Sequence, residues 1–230
     1  MERVYRRIVS ELLDEIATGR LAAGDRLPAV DDLAARHACS PSVAREAIRA
    51  LEERRVVEVH AGQGQEVLDS DRWMLLDGDV AEAALLRAGD PRLLREAVDF
   101  LQLVETHAAS LAATRVRDGD IALLAQILDQ MRASSRSGNG AGTRDDRFTE
   151  AEADFHRTLI LLARNRFLAS AVEQLHPVLA TARRQRAADR DQTVVLLHER
   201  ILSALERRDG TAAAGAAHDY GRHLASWLRV

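Results

Sequence analysis

The hydrophobic pattern at the start of the chain predicts two helices separated by a turn. The apolar positions of the first helix recur at helical spacing and are Val4, Ile8, Leu12 and Ile16. A segment bounded by Gly19 and Gly24 then interrupts the pattern, because glycine favours turns over helix interiors. A short helical pattern around Leu33 follows Pro28. Two compact helices near the start of the chain are therefore expected.

A third helix and a hairpin follow. Serine is a favoured N-cap residue and proline suits the first helical position, so Ser40 and Pro41 mark the start of this helix. A short break between two compact helices is typical of the helix-turn-helix motif, whose second helix lies in the major groove of DNA. The alternating run Val56–Val59, the turn Gly62–Gly64 and a return to Val67 add a β-wing. Residues 1–68 therefore predict a winged helix-turn-helix DNA-binding domain.

From Pro91 onward, helical periodicity dominates. The predicted helices include Val98 to Leu111 and Ile121 to Met131, and then about 146–164, 167–187, 191–208 and 211–229. The Ser/Gly-rich segment Ser134–Gly142 predicts a mobile loop. Because no strand pattern interrupts residues 91–230, we expect an all-helical antiparallel bundle, joined to the first domain by a connector at 69–90. The fold class is mainly α.

Composition narrows the class of protein. The chain has 230 residues, of which 47% are hydrophobic, enough for a small domain and a larger one with its own core. No apolar run approaches the roughly 18–20 residues that span a bilayer, and no signal-peptide pattern opens the chain. A single cysteine, Cys39, excludes an intrachain disulfide and a thiolate metal cluster. We expect a soluble, cytoplasmic protein that is not a membrane protein.

The order of signals in the first domain resembles the GntR family of bacterial transcription regulators. The matching residues are Gly19-Arg-Leu, Gly24-Asp-Arg-Leu-Pro28, Leu33-Ala34, Ser40, Arg45-Glu46-Ala47-Ile48, Leu51 and Gly62-x-Gly64. The connector Trp73-x-Leu-Leu-Asp77-x-x-Val80 resembles that of the FadR subfamily, above all its sugar-acid-responsive members, and the bundle matches the helical FCD ligand-sensing domain in length and helix order. The resemblance implies a repressor that binds double-stranded operator DNA as a homodimer.

The resemblance also implies which residues contact DNA. Arg45 is the arginine that the family usually presents to DNA. Three polar residues near Arg45 on the predicted helix, and two residues of the wing, are further candidates. These are Ser40, Ser42 and Arg49 on the helix, and His60 and Gly62 on the wing, where His60 is placed to reach a minor groove. An ordinary helical domain with a hairpin is the alternative interpretation of the same pattern.

Two departures from the family pattern weaken the expected DNA contact. Where the family commonly carries Ser-Glu-Arg after Leu-Pro, this chain has Ala29-Val30-Asp31, so an anion replaces a phosphate-binding arginine. A second arginine position is occupied by Pro41. Residues 1–68 hold ten arginines against twelve acidic residues, a net charge of −2. Since each neutralised phosphate adds affinity through counterion release, we expect DNA binding to be weak or unusually specific.

Candidate ligands for a metal lie on the apolar face of two predicted helices. In the helix at 146–164, Glu152 falls at the centre of the stripe formed by Phe148, Phe155, Leu159 and Leu162, and His156 lies about 40° away. A carboxylate and a histidine four residues apart bring both donor groups to one point. His198 lies on the inward face of a later helix. The three side chains form a candidate metal site.

Metal-binding FCD domains resemble this arrangement but differ at two of four ligand positions. They carry Asp-x-x-x-His and two further histidines, so Glu152 replaces the aspartate and Tyr220 stands at the fourth position, with His218 an alternative ligand if the last helix is rotated. The family's effector-clamping arginine, four residues before Glu105, is Leu101 here. Neutral imidazoles with oxygen ligands suit Zn²⁺, Ni²⁺ or Mn²⁺, with positions open for the carboxylate of a small effector such as a sugar acid.

Three alternatives remain open at this point. In the first, the two histidines form a metal-free core and are hydrogen-bonded to Glu152 and Tyr220. In the second, the chain is a regulator with a degenerate effector or DNA site that acts mainly through protein contacts. The third is a helical-bundle metalloenzyme that uses Glu152 or Tyr220 for proton transfer, although no nucleophile–base pair or phosphate-binding loop accompanies the site. We expect a regulator and not an enzyme.

Overall fold

The computed structural model of the chain describes residues 2–60, 62, 64–89, 91–137, 146–175 and 191–226. The chain divides into two compact units, Met1–Asp90 and Pro91–Val230. No helix among the described residues is long and apolar enough to cross a membrane. Each unit has its own hydrophobic core.

The first unit is a winged helix-turn-helix domain, as predicted. Its elements are α1 (Glu2–Ala17), α2 (Val30–Arg36), α3 (Pro41–Glu53), β1 (Val57–His60) and β2 (Gly64–Val67). The two strands pair antiparallel, with Val57 opposite Val67 and His60 opposite Gly64. The core buries one face of each helix together with the base of the wing, and includes Ile8, Leu12, Leu33, Ala44, Ile48, Leu51, Val56 and Val67. The helical spacing of apolar residues thus correctly predicted which faces of these helices are buried.

Ser40 occupies the N-cap position of α3, but its side chain makes no capping hydrogen bond. The amide of Val43, a usual partner of an N-cap hydroxyl, donates to the Ser40 carbonyl oxygen at 3.0 Å instead. Pro41 at the first helical position has no N–H that needs a partner. The predicted start of the helix is therefore right, with Ser40 as its N-cap residue, and the serine hydroxyl stays exposed.

The segment predicted as a connector belongs to the first unit. It contains a 3₁₀ turn (Ser70–Arg72), the short helix α4 (Gly78–Glu82) and a π-helical turn (Ala83–Arg87). Arg54, the C-cap residue of α3, donates from Nε to Asp77 at 2.9 Å. The Asp77 side chain also caps α4 by accepting from the amides of Asp79 and Val80. One carboxylate therefore links the end of α3 to the start of α4.

The second unit consists of helices throughout its described residues. They are α5 (Pro91–Ala113), α6 (Asp118–Ser137), α7 (Asp146–Leu162), α8 (Arg166–Glu173), α9 (Asp191–Glu206) and α10 (Gly210–Ala225). The loop predicted at Ser134–Gly142 is wrong for residues 134–137, because α6 continues to Ser137, and residues 138–142 lie outside the described part. The helix predicted at 167–187 is seen as α8, while residues 176–187 also lie outside it.

Helices α5 and α10 approach each other closely at a glycine. A Cβ added at Gly221 would lie 2.5 Å from Cγ of Gln102, closer than side-chain atoms approach in proteins. The absent side chain therefore lets α10 lie against α5. Helix α10 also packs on α9, and α7 packs on both α5 and α6. This arrangement brings the inward faces of α5, α7, α9 and α10 to the centre of the bundle.

Candidate nucleic-acid interface and metal centre

Helix α3 presents a polar face to solvent and buries the opposite face. The buried side carries Val43, Ala44, Ala47, Ile48, Ala50 and Leu51. Arg45 and Arg49 are exposed, and their spacing of four residues puts both guanidinium groups on one side of the helix. Ser40 and Ser42 are also exposed at its start. The structure thus leaves all four of these predicted contact residues accessible to a ligand.

The wing adds a histidine set between two carboxylates. His60 is half-buried, with Nε2 3.9 Å from Glu58 and 3.8 Å from Glu66. Gly62 is exposed in the turn and has a φ of +74°, a backbone conformation that glycine adopts without strain. Neither carboxylate neighbour of His60 was anticipated from the sequence. Their charge opposes the approach of a phosphate to this side of the wing.

Asp31 lies exposed in the first turn of α2, where an acidic side chain interacts favourably with the helix dipole. It therefore has a local stabilising role that an arginine would not have. Among the described residues of the first unit, Asp31 is one of several exposed carboxylates, with Glu46, Glu52 and Glu53 on α3. Several carboxylates therefore share the surface of this domain with its exposed arginines.

The predicted metal ligands come together in the core of the second unit. Helix α7 supplies Glu152 and His156 and α9 supplies His198, and each of these side chains is at most 1% exposed. One donor atom from each of the three lies within 4.8 Å of the others. Glu152 and His156 share the buried side of α7 with Phe148, Phe155 and Leu159, as the helical spacing predicted. The structure therefore brings the predicted triad to one point.

The hydrogen bonds around His198 assign its ring protons. Nδ1 lies 2.7 Å from the carbonyl oxygen of Val194, which is only an acceptor. Nδ1 must therefore carry the proton. In the neutral ring Nε2 is then an unprotonated acceptor, which is the form of histidine that binds metals.

The protonation of the His156 ring is inferred from a neighbouring carboxylate, not from a hydrogen bond. Its buried Nδ1 lies 3.1 Å from Oε2 of Glu105. This separation is within ion-pair distance, and Nδ1 makes no hydrogen bond to any described residue. The carboxylate places the Nδ1 proton on its own side of the ring. The neutral ring therefore presents an unprotonated Nε2 to the centre of the site.

The two unprotonated nitrogens face each other. Nε2 of His156 lies 3.0 Å from Nε2 of His198. Two lone pairs at this distance repel unless a proton or a metal ion lies beside them. Nitrogens that are each about 2.0–2.1 Å from one ion are separated by about 3 Å when they are neighbours in its coordination shell. The residues present therefore fit a divalent cation, with Glu152 as the third ligand.

Tyr220 fills the fourth position with a hydrogen bond. Its hydroxyl donates to Oε1 of Glu152 at 2.8 Å, and the residue is 1% exposed. This bond fixes the carboxylate but does not use Oε2. His218 is not part of the group, since it is exposed on α10 with Nδ1 2.7 Å from Nε2 of Gln102. The helix rotation that would bring His218 inward is absent.

Packing of aromatic rings holds these groups in place. The ring of Phe155 meets that of His198 edge to face at 4.7 Å between centroids, and the rings of His156 and Tyr220 lie 4.4 Å apart. Such contacts restrict ring rotation, so the donor atoms keep their directions without a ligand. The site is therefore preorganised.

Glu105, named above only as the reference point for the missing arginine, is a site residue to which the sequence assigned no role. It lies on α5, 4% exposed, and contacts His156. Its position carried a usable signal. Glu105 follows Leu101 by four residues and Val98 by seven, so it falls on the buried stripe of α5. A carboxylate on such a stripe requires a partner, which here is a histidine.

Comparison with known families covers most of the chain. Residues 4–67 match the family described as bacterial regulatory proteins, gntR family. Residues 96–223 match the FCD domain. The first range contains α1 to β2, and the second contains the helices that carry the Glu/His group.

Curated relatives with related sequences are transcription regulators by name. The galactonate operon transcriptional repressor of Escherichia coli is 29% identical over 219 residues, which is 92% of this chain and 90% of the relative. The Exu regulon transcriptional regulator of Escherichia coli is 31% identical over 175 residues, or 75% of this chain and 62% of that protein. The Uxu operon regulator of Haemophilus influenzae is 27% identical over 227 residues, 94% of this chain and 78% of the relative.

Solved structures share the fold. A Listeria monocytogenes protein, Lar, described as controlling the agr system, superimposes with a TM-score of 0.63 at 17% identity over 97% of this chain and 95% of that one. A Streptococcus agalactiae GntR protein gives 0.55 at 21% identity over 96% and 99%. The two domain matches establish the family as well as the fold. The chain belongs to the GntR family of bacterial regulatory proteins, with an FCD domain as its second part.

Proposed function

We propose that this protein is a repressor that binds an operator as a homodimer and senses a small carboxylate-bearing metabolite of the sugar-acid class in its FCD domain. The relative that represses the galactonate operon supports both the direction of control and the class of effector. Relatives named for the Exu regulon and the Uxu operon support a role in controlling operons. The part of the proposal that concerns effector sensing rests on the inner site, the buried group of Glu152, His156 and His198.

The observation that supports sensing most strongly is the 3.0 Å separation of the two histidine Nε2 atoms. Glu152, His156 and His198 would hold a divalent ion there, and Glu105 would orient His156. When bound, the ion supplies a Lewis acid to which an effector carboxylate binds. The surrounding rings exclude water, which strengthens that interaction.

Two exposed arginines support the part of the proposal that concerns operator binding. Arg45 and Arg49 project from one side of α3, the second helix of the helix-turn-helix. A guanidinium group fits the two acceptors of guanine in the major groove. Because the first 68 residues carry a net charge of −2, the non-specific contribution to affinity is small, and these few cations carry most of the contact.

A homodimer would present two copies of α3 to a short palindrome, with half-sites about one helical turn apart or less. The effector changes DNA affinity only if it binds one arrangement of the dimer more tightly than another. We assign the dimer contact to the helical domains. Derepression then follows from effector binding in the same domain.

Replacing Arg45 by alanine should remove specific DNA binding. If Arg45 reads a base through two hydrogen bonds, the loss is on the order of 1–3 kcal/mol. The measurement is the affinity for a fragment of the protein's own promoter region, with DNase footprinting. Arg166→Ala is the matched control, since Arg166 is an exposed arginine of α8 in the second unit. A footprint that survives Arg45→Ala unchanged contradicts the assignment.

Replacing Asp31 by arginine should strengthen DNA binding and make it more salt-dependent. One added phosphate contact steepens the plot of log affinity against log salt by about 0.9. Asp31→Asn serves as the control, because it removes the anion without adding a cation and should leave that slope nearly unchanged. A fall in affinity for Asp31→Arg, in a variant with unaltered melting temperature, would show that α2 does not face the phosphates.

The metal prediction separates the two interpretations of the buried histidines. Protein purified without chelator should carry close to one divalent ion per chain, and His198→Ala should lose it together with thermal stability, because an ion that binds only the folded state stabilises that state. Elemental analysis and melting curves provide the measurement. His107→Ala, which removes an exposed histidine of α5, should change neither.

Tyr220→His provides the converse test. Imidazole is a better ligand for these ions than a neutral phenol, so this variant should bind zinc more tightly than the unaltered protein. Metal-free protein whose melting temperature responds neither to chelator nor to added zinc would support the metal-free core instead. Glu152 and Tyr220 would then serve only as hydrogen-bond partners of each other.

A further inference from the structure

A second candidate site lies on the outer side of the helical bundle. It is a cleft of about 640 Å³ between α9 and α10, with Thr106 of α5 also lining it. Small residues of α10 leave this space open, namely Ala212, Ala214, Gly215 and Ala216. The volume is within the range of cavities that accept small metabolites, roughly 300–1,000 Å³. The buried Glu/His group contributes no residue to the lining.

The cleft carries two arginines, Arg200 within α9 and Arg207 directly after its last residue. Arg200 is paired with Asp219 across the cleft, at 2.7 Å. Arg207 donates from Nη1 to the hydroxyl of Ser203 at 2.6 Å, and among the described residues no carboxylate lies within ion-pair distance of it. A guanidinium group has five N–H donors in a planar fork. Most donors of Arg207 are therefore available to a ligand.

Two further donors belong to residues that line the cleft, Thr106 and His218. The hydroxyl oxygen of Thr106 is buried and has no hydrogen-bond partner among the described residues. His218 accepts at Nδ1 from the amide of Gln102 at 2.7 Å, so the neutral ring carries its proton on Nε2. A buried hydroxyl without a partner is costly unless a ligand or water satisfies it. The lining thus offers donors of three kinds, with a single carboxylate that is already paired.

We propose that this cleft binds a small oxyanion, a carboxylate or phosphate group of a metabolite, independently of the inner metal site. Two neighbouring oxygens of such a group match the guanidinium fork of Arg207. Ser203 and Thr106 supply hydroxyl groups, and His218 an imidazole N–H, for the rest of the ligand. The inner site, by contrast, presents carboxylates and unprotonated nitrogens and is suited to a cation.

The position of the cleft would allow a bound anion to influence the inner site through the two helices that the sites share. Arg207, directly after α9, and His218 of α10 line the cleft, whereas His198 of α9 and Tyr220 of α10 are buried in the core. An anion that bridges the outer faces would bias the spacing of these two helices. Any resulting effect on metal affinity must be matched by an equal effect of the metal on anion affinity.

The test is titration calorimetry of the full chain with inorganic phosphate and, separately, with malonate, at constant ionic strength. We expect saturable binding of at least one of the two anions and a loss of affinity of about tenfold or more in Arg207→Gln. Arg166→Gln, the matched control on α8, should bind as the unaltered protein does. The relative affinity for the two probes tells whether the site prefers phosphate or carboxylate.

Arg207→Lys and His198→Ala complete the design. The lysine variant keeps the charge but loses the planar fork, so intermediate affinity is expected. His198→Ala should retain anion binding, which keeps the outcome separate from that of the metal proposal. Equal binding by Arg207→Gln and the unaltered protein, or heat that does not saturate for either anion, would overturn the proposal.

Discussion

The contact between the Nε2 atoms of His156 and His198, 3.0 Å apart, is the constraint on which the helical domain depends. Both rings are fixed from behind, one by the carbonyl of Val194 and the other by the carboxylate of Glu105. Their acceptor nitrogens are therefore turned toward each other within a core that is closed to water. A positive charge between or beside these nitrogens removes the repulsion, and Glu152 adds a carboxylate to stabilise that charge.

Four helices meet at this contact, so the interactions there also affect the stability of the helical domain. Glu105 on α5, His156 on α7, His198 on α9 and Tyr220 on α10 are all buried there. Burial of so many polar groups destabilises the folded state unless each has a partner. An ion at the centre would link the helices, and its loss would leave polar groups in an apolar core. Binding of an ion at this site would therefore also stabilise the fold.

Sequence periodicity predicted the elements and the inward residues, but not the contacts between elements. The stripe of Phe148, Phe155 and Leu159 was enough to place Glu152 and His156 inside, because burial follows the helical repeat. The link from Arg54 to Asp77 and the pairing of Glu105 with His156 join residues far apart in the chain, and no local pattern encodes them. The hydroxyl of Ser40 shows the same limit, since a favoured residue type at an N-cap did not determine its hydrogen bond.

Nitrogen NMR of histidine side chains, on protein labelled with ¹⁵N in its rings, tests the central claim most directly. With zinc added, the Nε2 atoms of His156 and His198 should show the shifts of metal-bound nitrogen while their Nδ1 atoms remain protonated, and a chelator should reverse the change. Identical spectra with zinc and with chelator, in which one Nε2 of the pair carries a proton, would contradict it. The two histidines would then be a hydrogen-bonded pair without a metal.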